Sequence, residues 1–168
     1  SSKLQRIIMD LATDFIDVRL KEFDDQANRL LKQVGNLTNS DRAYIFTYHP
    51  EKGIAKNTHE WCAKGVTPQI DELQNLPLSS MPMWYETHNQ KEMIHVADVN
   101  ALSDDNPIKG ILEPQDIKTL IALPLFEHDK CAGFIGFDDV KSKRVWSDFE
   151  ISLLQVASTI ISNALGKF

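Results

Sequence analysis

Hydrophobic residues near both ends of the chain recur every three or four positions, which is the spacing of helices with one apolar face. This pattern predicts three helices, over residues 4–18, 20–34 and 147–168. Gly35-Asn36 is expected to end the second helix, because glycine readily adopts the conformation found at helix ends. Ser147 followed by Glu150 predicts a capping box at the start of the last helix.

Between the terminal helices the apolar period changes to two, which is typical of β-strands. Two hairpins are predicted, over 42–48 with 54–62 and over 119–126 with 131–138. The second hairpin is apolar on both faces and is therefore expected at the centre of a sheet. Pro124 cannot donate a hydrogen bond in a ladder, so we expect a bulge or a sheet edge there. The intervening residues contain a predicted loop with a short helix at 69–80, short helices near 83–90 and 108–116, and a short strand at 93–96.

This order of elements predicts an α+β fold formed by one domain over residues 1–168. The terminal helices should cover one face of an antiparallel sheet, and the irregular segment 66–118 should cover the other. Whether Ser1 and Ser2 belong to the natural sequence is left open.

The first strand separates its side chains by size. Ala43 and Ile45 share one face, on which helices can pack closely, while Tyr44, Phe46 and Tyr48 share the other. An aromatic face with hydroxyl groups suits the wall of a ligand cavity. The same side chains could instead fill a closed core, and the sequence leaves both interpretations open.

Composition narrows the functional classes. The 168 residues carry a net charge of −6 with no cluster of Lys or Arg, which argues against nucleic-acid binding. No apolar run approaches the roughly 18 residues of a membrane span, and no signal peptide is visible. The two cysteines, Cys62 and Cys131, are interpreted as reduced, buried thiols of a cytoplasmic protein.

Several polar residues are candidates for metal binding or catalysis. His59 and Cys62 lie three apart on a strand and should point to opposite faces, so no metal site is predicted there. Glu60 lacks a partner that would make it a general base, and His95 with Asp98 is interpreted as solvated. No nucleophile elbow or phosphate-binding loop is present. Gly133 and Gly136 lie inside a predicted strand and are expected to let a helix or a ligand approach the sheet.

Several segments together resemble a GAF domain along essentially the whole chain. They are 42–46, Asn57-Thr58-His59-Glu60-Trp61-Cys62, Leu76-Pro77 ahead of Trp84, 119–125 followed by Gly133-Phe134-Ile135-Gly136-Phe137-Asp138, and Ser147. The combination is most similar to GAF domains of bacterial multidomain sensors with diguanylate cyclase or histidine kinase outputs.

The resemblance implies a sheet of about six antiparallel strands with a ligand pocket under the irregular middle segment. Carried over by position, it implies six ligand-binding residues: Tyr44, Trp61, Met83, Trp84, Glu113 and Phe134. It names no cofactor and leaves the small-molecule ligand unidentified. It also implies an attached output domain, and the apolar breadth of the terminal helices predicts a homodimer formed through them.

Three functions remain open at this point. The chain is a sensory domain that binds a small organic ligand, or a ligand-free scaffold for dimerisation and signal relay, or, more remotely, a redox enzyme similar to methionine sulfoxide reductases of this fold. The loop cysteines of those reductases are absent, as is a cysteine in residues 66–118 that could attach a bilin. The Asn-Lys-Phe-Asp-Glu motif of cyclic-nucleotide-binding members is absent too. We therefore expect no catalysis.

Overall fold

The computed structural model describes residues 2–16 and 18–168, so the open question about Ser1 lies outside the described residues. The helices are α1 (Ser2–Thr13), α2 (Leu20–Leu37), α3 (Trp84–Asn89), α4 (Pro107–Leu112) and α5 (Asp148–Leu165). The strands are β1 (Arg42–His49), β2 (Ile54–Cys62), β3 (Leu76–Pro77), β4 (Ile94–Val96), β5 (Thr119–Glu127) and β6 (Lys130–Asp139). Short 3-10 turns occupy much of the remaining middle of the chain.

The strands form one antiparallel sheet of six strands in the order β3-β2-β1-β6-β5-β4, which confirms the predicted fold class. Both predicted hairpins are present. Strand β3 was not predicted, because two residues are too short to show an alternating pattern. Pro124 lies beyond the reach of β4, which pairs only with Leu120 to Ala122, so β5 is an edge strand at that point as expected.

The terminal helices pack on one face of the sheet, which we call the helix side. Its core contains Ala43 and Ile45 of β1 and Ile135 and Phe137 of β6, against apolar residues of α2 and α5. A capping box joins Ser147 and Glu150 at the start of α5, as predicted. The smaller and aliphatic residues of β1, Ala43 and Ile45, therefore lie toward the helices.

Residues 66–118, which we call the cover, lie on the opposite face, except that the short strands β3 and β4 within this segment form the two edges of the sheet. The cover encloses a second core around Tyr44, Phe46, Tyr48 and Phe134. The aromatic residues of β1 thus face the cover, and the predicted division of side chains in this strand is confirmed.

Three helix ends differ from the prediction, and one of them is that of α5, which ends at Leu165 and not at Phe168. Gly35 does not end α2, which continues to Leu37, and the chain turns at Asn39, whose φ is 53°. The glycine serves packing instead, because a β-carbon at position 35 would overlap with the indole ring of Trp61. The first helix ends at Thr13, although Phe15 beyond it is still buried in the core.

Candidate ligand-binding cavity

A small cavity lies between the sheet and the cover. Its volume is about 30 Å³, which is enough for one or two water molecules. Strands β1, β2, β5 and β6 supply its inner wall, and the cover supplies its outer wall. The inner wall consists of Arg42, Tyr44, Phe46, Asn57, Glu60, Leu120 and Phe134. The outer wall consists of Leu73, Leu76, Met81, Trp84, Ile108, Ile111, Leu112, Gln115 and Ile117.

Arg42, Tyr44 and Asp138 form a buried polar network beside this cavity. The hydroxyl group of Tyr44 donates a hydrogen bond of 2.6 Å to Asp138 Oδ1. Arg42 Nη1 donates to Asp138 Oδ2 at 3.2 Å. All three side chains are at most 5% exposed. Strand register brings them together, because Arg42 pairs with Asp138 and Tyr44 pairs with Gly136, two residues before it.

Burial changes the ionisation of this network. Loss of hydration raises the pKa of Asp138 to about 7, although the hydrogen bond from Tyr44 and the charge of Arg42 both lower it. Burial, followed by the neighbouring Asp138, raises the pKa of Tyr44 well above its usual value. Asp138 is therefore partly protonated near neutral pH, and Tyr44 keeps its proton.

Arg42 also connects the sheet to the cover. Its Nη2 donates to the carbonyl oxygen of Thr67 at 3.0 Å and to that of Gln115 at 3.3 Å. Glu60 makes a second connection, since its carboxylate accepts from the backbone nitrogen of Gln69 at 2.9 Å. The Arg42 guanidinium thus binds Thr67 and Gln115, which lie near the two ends of the cover. A ligand that displaced this guanidinium would loosen both contacts.

Aromatic rings form another part of the cavity wall. Phe46 and Phe134 stack with their ring centroids 4.7 Å apart, and the Trp84 indole meets Phe134 edge-on at 6.0 Å. One turn beyond Trp84, His88 is fully buried and fixes α3 to the sheet: its Nδ1 lies 2.6 Å from the Tyr48 hydroxyl.

His88 is held in one tautomer. Its Nε2 lies 3.1 Å from the carbonyl oxygen of Ala122, which can only accept, so this nitrogen carries the proton and donates. Its Nδ1 then accepts from Tyr48. Burial lowers the pKa of His88 to about 4, so the ring is neutral at physiological pH.

Two residues that line the cavity each carry a buried donor with no hydrogen-bond partner. The donors are Nε of Arg42 and Nε1 of Trp84. The Arg42 Nε lies 3.9 Å from Glu60 Oε2, close enough for electrostatic attraction and too far for a hydrogen bond. Buried donors are nearly always paired in proteins, so two such groups in one small cavity require an explanation.

Three of the six residues expected at the ligand site come together here. Tyr44, Trp84 and Phe134 all line the cavity. Their role in ligand binding stays a prediction.

The other three expected residues lie elsewhere, so their expected placement in the cavity wall is wrong. Trp61 pairs with Ala43 and therefore points to the helix side, where it packs on Gly35. Met83 has a φ of 70° at the start of α3 and is 64% exposed. Glu113 is exposed at the start of a 3-10 turn, and Gln115 of the same turn lines the cavity instead.

Glu60 lines the cavity, whereas the resemblance to GAF domains implied its neighbour Trp61. It pairs with Tyr44 and so shares its face, while its neighbour Trp61 points away. Simple alternation along β2 could not have indicated this, because the irregularity opposite Ile45 and Phe46 puts Asn57 and Glu60, three positions apart, on the same cavity wall. Arg42 and Asp138 were missed because they are 96 residues apart, and only the pairing of β1 with β6 brings their charges together.

The two strand glycines have a different neighbour from the one expected. A β-carbon on Gly136 would overlap with the Tyr44 ring, and one on Gly133 would overlap with the carbonyl oxygen of Phe46. The close approach that these glycines permit here is by strand β1, whereas a helix or a ligand was expected. Gly136 makes room for the ring that reaches Asp138.

The candidate metal ligands are directed apart. His59 pairs with Ile45 on the helix side, and its Nε2 lies 2.7 Å from Asp24 Oδ1. Cys62 pairs with Arg42 on the other face. Within residues 2–16 and 18–168, His, Cys, Asp and Glu form no group of three or more that could hold a metal ion.

Comparison with known proteins identifies the family of the chain. The family model for the GAF domain matches residues 22–165. A curated relative, the methanogenesis regulatory histidine kinase FilI of Methanothrix harundinacea, is 35% identical over 142 residues. The match covers 80% of this chain and only 16% of that kinase, so the chain spans about one sixth of its relative's length.

Solved structures with the same fold include two GAF domains from cyanobacterial phytochromes. The phycocyanobilin-bound domain has a TM-score of 0.81 at 17% identity and covers 98% of this chain and 94% of its own. The phycoerythrobilin-bound domain has a TM-score of 0.80 at 18% identity, with coverage of 99% and 97%. In the described part of this chain, each helix is too short or too polar to cross a membrane.

Proposed function

The chain belongs to the GAF domain family, and from this premise we propose that it is a sensory domain which binds a small organic molecule. The ligand would lie between the sheet and the cover, and its binding would bias an attached output domain. The first match among curated proteins is a histidine kinase, which supports an output of that kind.

The unpartnered donors of Arg42 and Trp84 carry this proposal. Leaving a buried donor unsatisfied costs about 1–3 kcal/mol. Both side chains are at most 4% exposed and line the same cavity. A ligand that supplies acceptors would remove this cost, whereas a purely structural core gains nothing from it.

The strands that line the cavity also contact the terminal helices. Tyr44 faces the cavity while its neighbours Ala43 and Ile45 face α2 and α5. A ligand that moves β1 or releases Arg42 from the cover therefore changes the surface on which the helices pack. It shifts the signalling equilibrium only if its affinity differs between the two arrangements.

The terminal helices are proposed to join two copies of the chain. Apolar side chains remain exposed on or beside them: Met9, Ile16, Leu20, Leu37, Phe149 and Phe168. Contact between two copies would bury these residues, and symmetric homodimers are the commonest oligomers. In the full-length protein the same contact would bring two output domains together.

We further propose that the domain is cytoplasmic, binds neither nucleic acid nor membrane, and catalyses no reaction itself. Burial raises the pKa of both Cys62 and Cys131 to about 11, which leaves little reactive thiolate at neutral pH. The two residues also lie at opposite ends of the sheet. This argues against a redox enzyme that uses the pair. The absence of cysteine from residues 66–118 likewise argues against a bilin attached there.

A second candidate function is a ligand-free scaffold for dimerisation and signal relay. The small size of the cavity favours it, because about 30 Å³ is far below the usual 300–1,000 Å³ of ligand pockets. The first function requires the cover to move outward on binding.

Native mass spectrometry distinguishes the two functions. The purified protein is incubated with the small-molecule fraction of its source cells, desalted and measured. We expect one bound species on the wild type and on Trp61→Phe, whose ring lies outside the cavity, and reduced occupancy on Trp84→Phe. If the wild type retains no molecule, and Trp84→Phe leaves signalling by the full-length protein unchanged, the scaffold function is favoured.

A further inference from the structure

The unpartnered donors and the charges around them restrict the chemistry of the ligand. Resting on the proposed function, we propose that the cavity selects a neutral, largely apolar molecule with a carbonyl oxygen, such as a ketone, ester or amide. Trp84 and Arg42 would donate to its oxygen atoms.

Both free groups of the wall are donors. Trp84 Nε1 and Arg42 Nε each carry a hydrogen and can only donate. A ligand must therefore bring acceptor atoms to satisfy them. A cationic ligand such as an ammonium compound brings donors only, and its charge would lie near the guanidinium of Arg42. The aromatic wall alone would suit such a cation, but the two donors do not.

The charge balance disfavours an anionic ligand as well. Arg42 already faces two acidic side chains, Asp138 at 3.2 Å and Glu60 at 3.9 Å. With one or both of them ionised, the three groups carry a net charge of zero or −1. No uncompensated positive charge remains to stabilise a carboxylate, and Glu60 would repel one that approached Arg42 Nε. A carbonyl oxygen accepts a hydrogen bond there without adding a charge.

The remaining wall is apolar and aromatic. The stacked rings of Phe46 and Phe134 form one side, and half-buried Ile108 and Ile111 of α4 form part of the other. Such surfaces stabilise an apolar body roughly in proportion to the area that they remove from water. The expected ligand therefore combines an apolar body with oxygen acceptors for the donors of Arg42 and Trp84.

Binding requires the outer wall to move. A cavity of about 150 Å³ is known to hold a benzene ring, several times the volume available here. Helices α3 and α4 have six residues each, and α4 is connected to the sheet indirectly, through Gln115 and Arg42. In contrast, His88 holds α3 to the sheet. We therefore expect α4, and not α3, to yield to the ligand.

The test uses four probes that share a phenyl ring and differ in the attached group: acetophenone, benzoate, benzylammonium and ethylbenzene. The chain has three tryptophans, so three indole N–H signals appear in a proton–nitrogen correlation spectrum. We expect acetophenone to shift the Trp84 signal downfield and to bind at least tenfold more tightly than benzoate and benzylammonium. Ethylbenzene should bind more weakly and give no downfield shift.

A matched pair of variants isolates the indole donor. Trp84→Phe keeps a ring in the cavity wall and removes the N–H. Trp146→Phe removes the other buried, unpartnered indole N–H, which lies on the helix side. Acetophenone affinity should fall several-fold in Trp84→Phe and stay unchanged in Trp146→Phe. Ethylbenzene affinity should be similar in all three proteins.

The outcomes separate this inference from the function on which it rests. If benzoate or benzylammonium binds as tightly as acetophenone, the preference for a neutral ligand is refuted. If ethylbenzene binds as tightly, the ligand needs no hydrogen-bond acceptor. In each case the cavity would still bind ligands. If none of the probes shifts the Trp84 signal, even in Ile111→Ala with its enlarged cavity, ligand binding here is refuted.

Discussion

The indole ring of Trp61 packs directly on Gly35, where the helix α2 crosses strand β2 on the side of the sheet away from the cavity. A β-carbon on Gly35 would overlap with ring atom Cζ3. This contact explains why a glycine lies inside a helix, where it is normally unfavourable. It also explains why Trp61 is unavailable to the cavity.

Gly35→Ala should therefore destabilise the protein, although alanine is the better helix former. We expect a loss of about 1–3 kcal/mol in the free energy of unfolding, as is usual for overpacking. Gly110→Ala in α4 is the control, because a β-carbon there has no neighbour within 4 Å. The control should be neutral or slightly stabilising. Urea denaturation measures both, and equal stability of the two variants would contradict the packing argument.

Trp84→Ala tests how far the cavity wall supports the fold. Trp84 is 4% exposed and contacts Phe134, so we expect a loss of about 3–5 kcal/mol, typical of a buried aromatic residue. Trp84→Phe should lose much less. A loss below about 1 kcal/mol in Trp84→Ala would mean that Trp84 contributes little to the stability of the fold and that its role lies in ligand binding.

The hydrogen bond between Tyr48 and His88 should stabilise the attachment of α3. Tyr48→Phe leaves the buried Nδ1 of His88 without a partner, at an expected cost of about 1–3 kcal/mol. Tyr85→Phe on the same helix is the matched control, because Tyr85 is only half-buried and its ring meets Tyr48 edge-on. Thermal or urea unfolding should show a clear loss in the first variant and little change in the second.

Asp138 should make stability depend on pH. Its pKa is about 7 in the folded protein against 3.8 when solvated, so the folded state binds more protons between these values. Its contribution to stability is therefore complete below about pH 4 and is lost as the pH rises to about 7. The stability of Asp138→Asn relative to wild type should rise over this window, by at most about 1.4 kcal/mol per pH unit.

Stability must be compared between Asp138→Asn and wild type at each pH, because His88 changes the stability of both proteins with pH in the opposite direction. Its pKa falls from 6.5 to about 4 on folding, so its contribution is lost as the pH decreases through this range. Asp104→Asn is the control for Asp138. The hydrogen bond from Lys109 lowers the pKa of Asp104, so any change of its contribution with pH has the opposite sign to that of Asp138. If the free energy of unfolding of Asp138→Asn relative to wild type stays constant between pH 4 and 7, the raised pKa of Asp138 is contradicted.

The proposed homodimer can be tested at Leu20, which is 71% exposed at the start of α2. Leu20→Lys should shift the protein toward monomer in sedimentation experiments at micromolar concentration without lowering its stability. Val145→Lys is the control, since Val145 is 92% exposed in the loop before α5 and lies outside the helices. A wild-type protein that stays monomeric at high concentration would contradict the dimer.

The sequence by itself determined the elements whose signals are local. The period of two identified both hairpins and placed Tyr44, Phe46 and Tyr48 on one face, because neighbouring side chains of a strand must alternate. The capping box of Ser147 and Glu150 was equally clear, since both partners lie within one turn. Together with the resemblance to GAF domains, these signals gave the fold class, the two-sided arrangement and half of the residues expected in the cavity wall.

Only the tertiary structure decided which charged side chains lie together and how large the cavity between the sheet and the cover is. Arg42 reaches Asp138 because β1 pairs with β6, and it reaches the cover through Thr67 and Gln115. The register that turns Glu60 inward and Trp61 outward includes an irregularity beside Ile45 with no local sequence signal. Such contacts join residues far apart in the chain, so their geometry depends on the packing of all the elements at once. No local pattern along the chain records it.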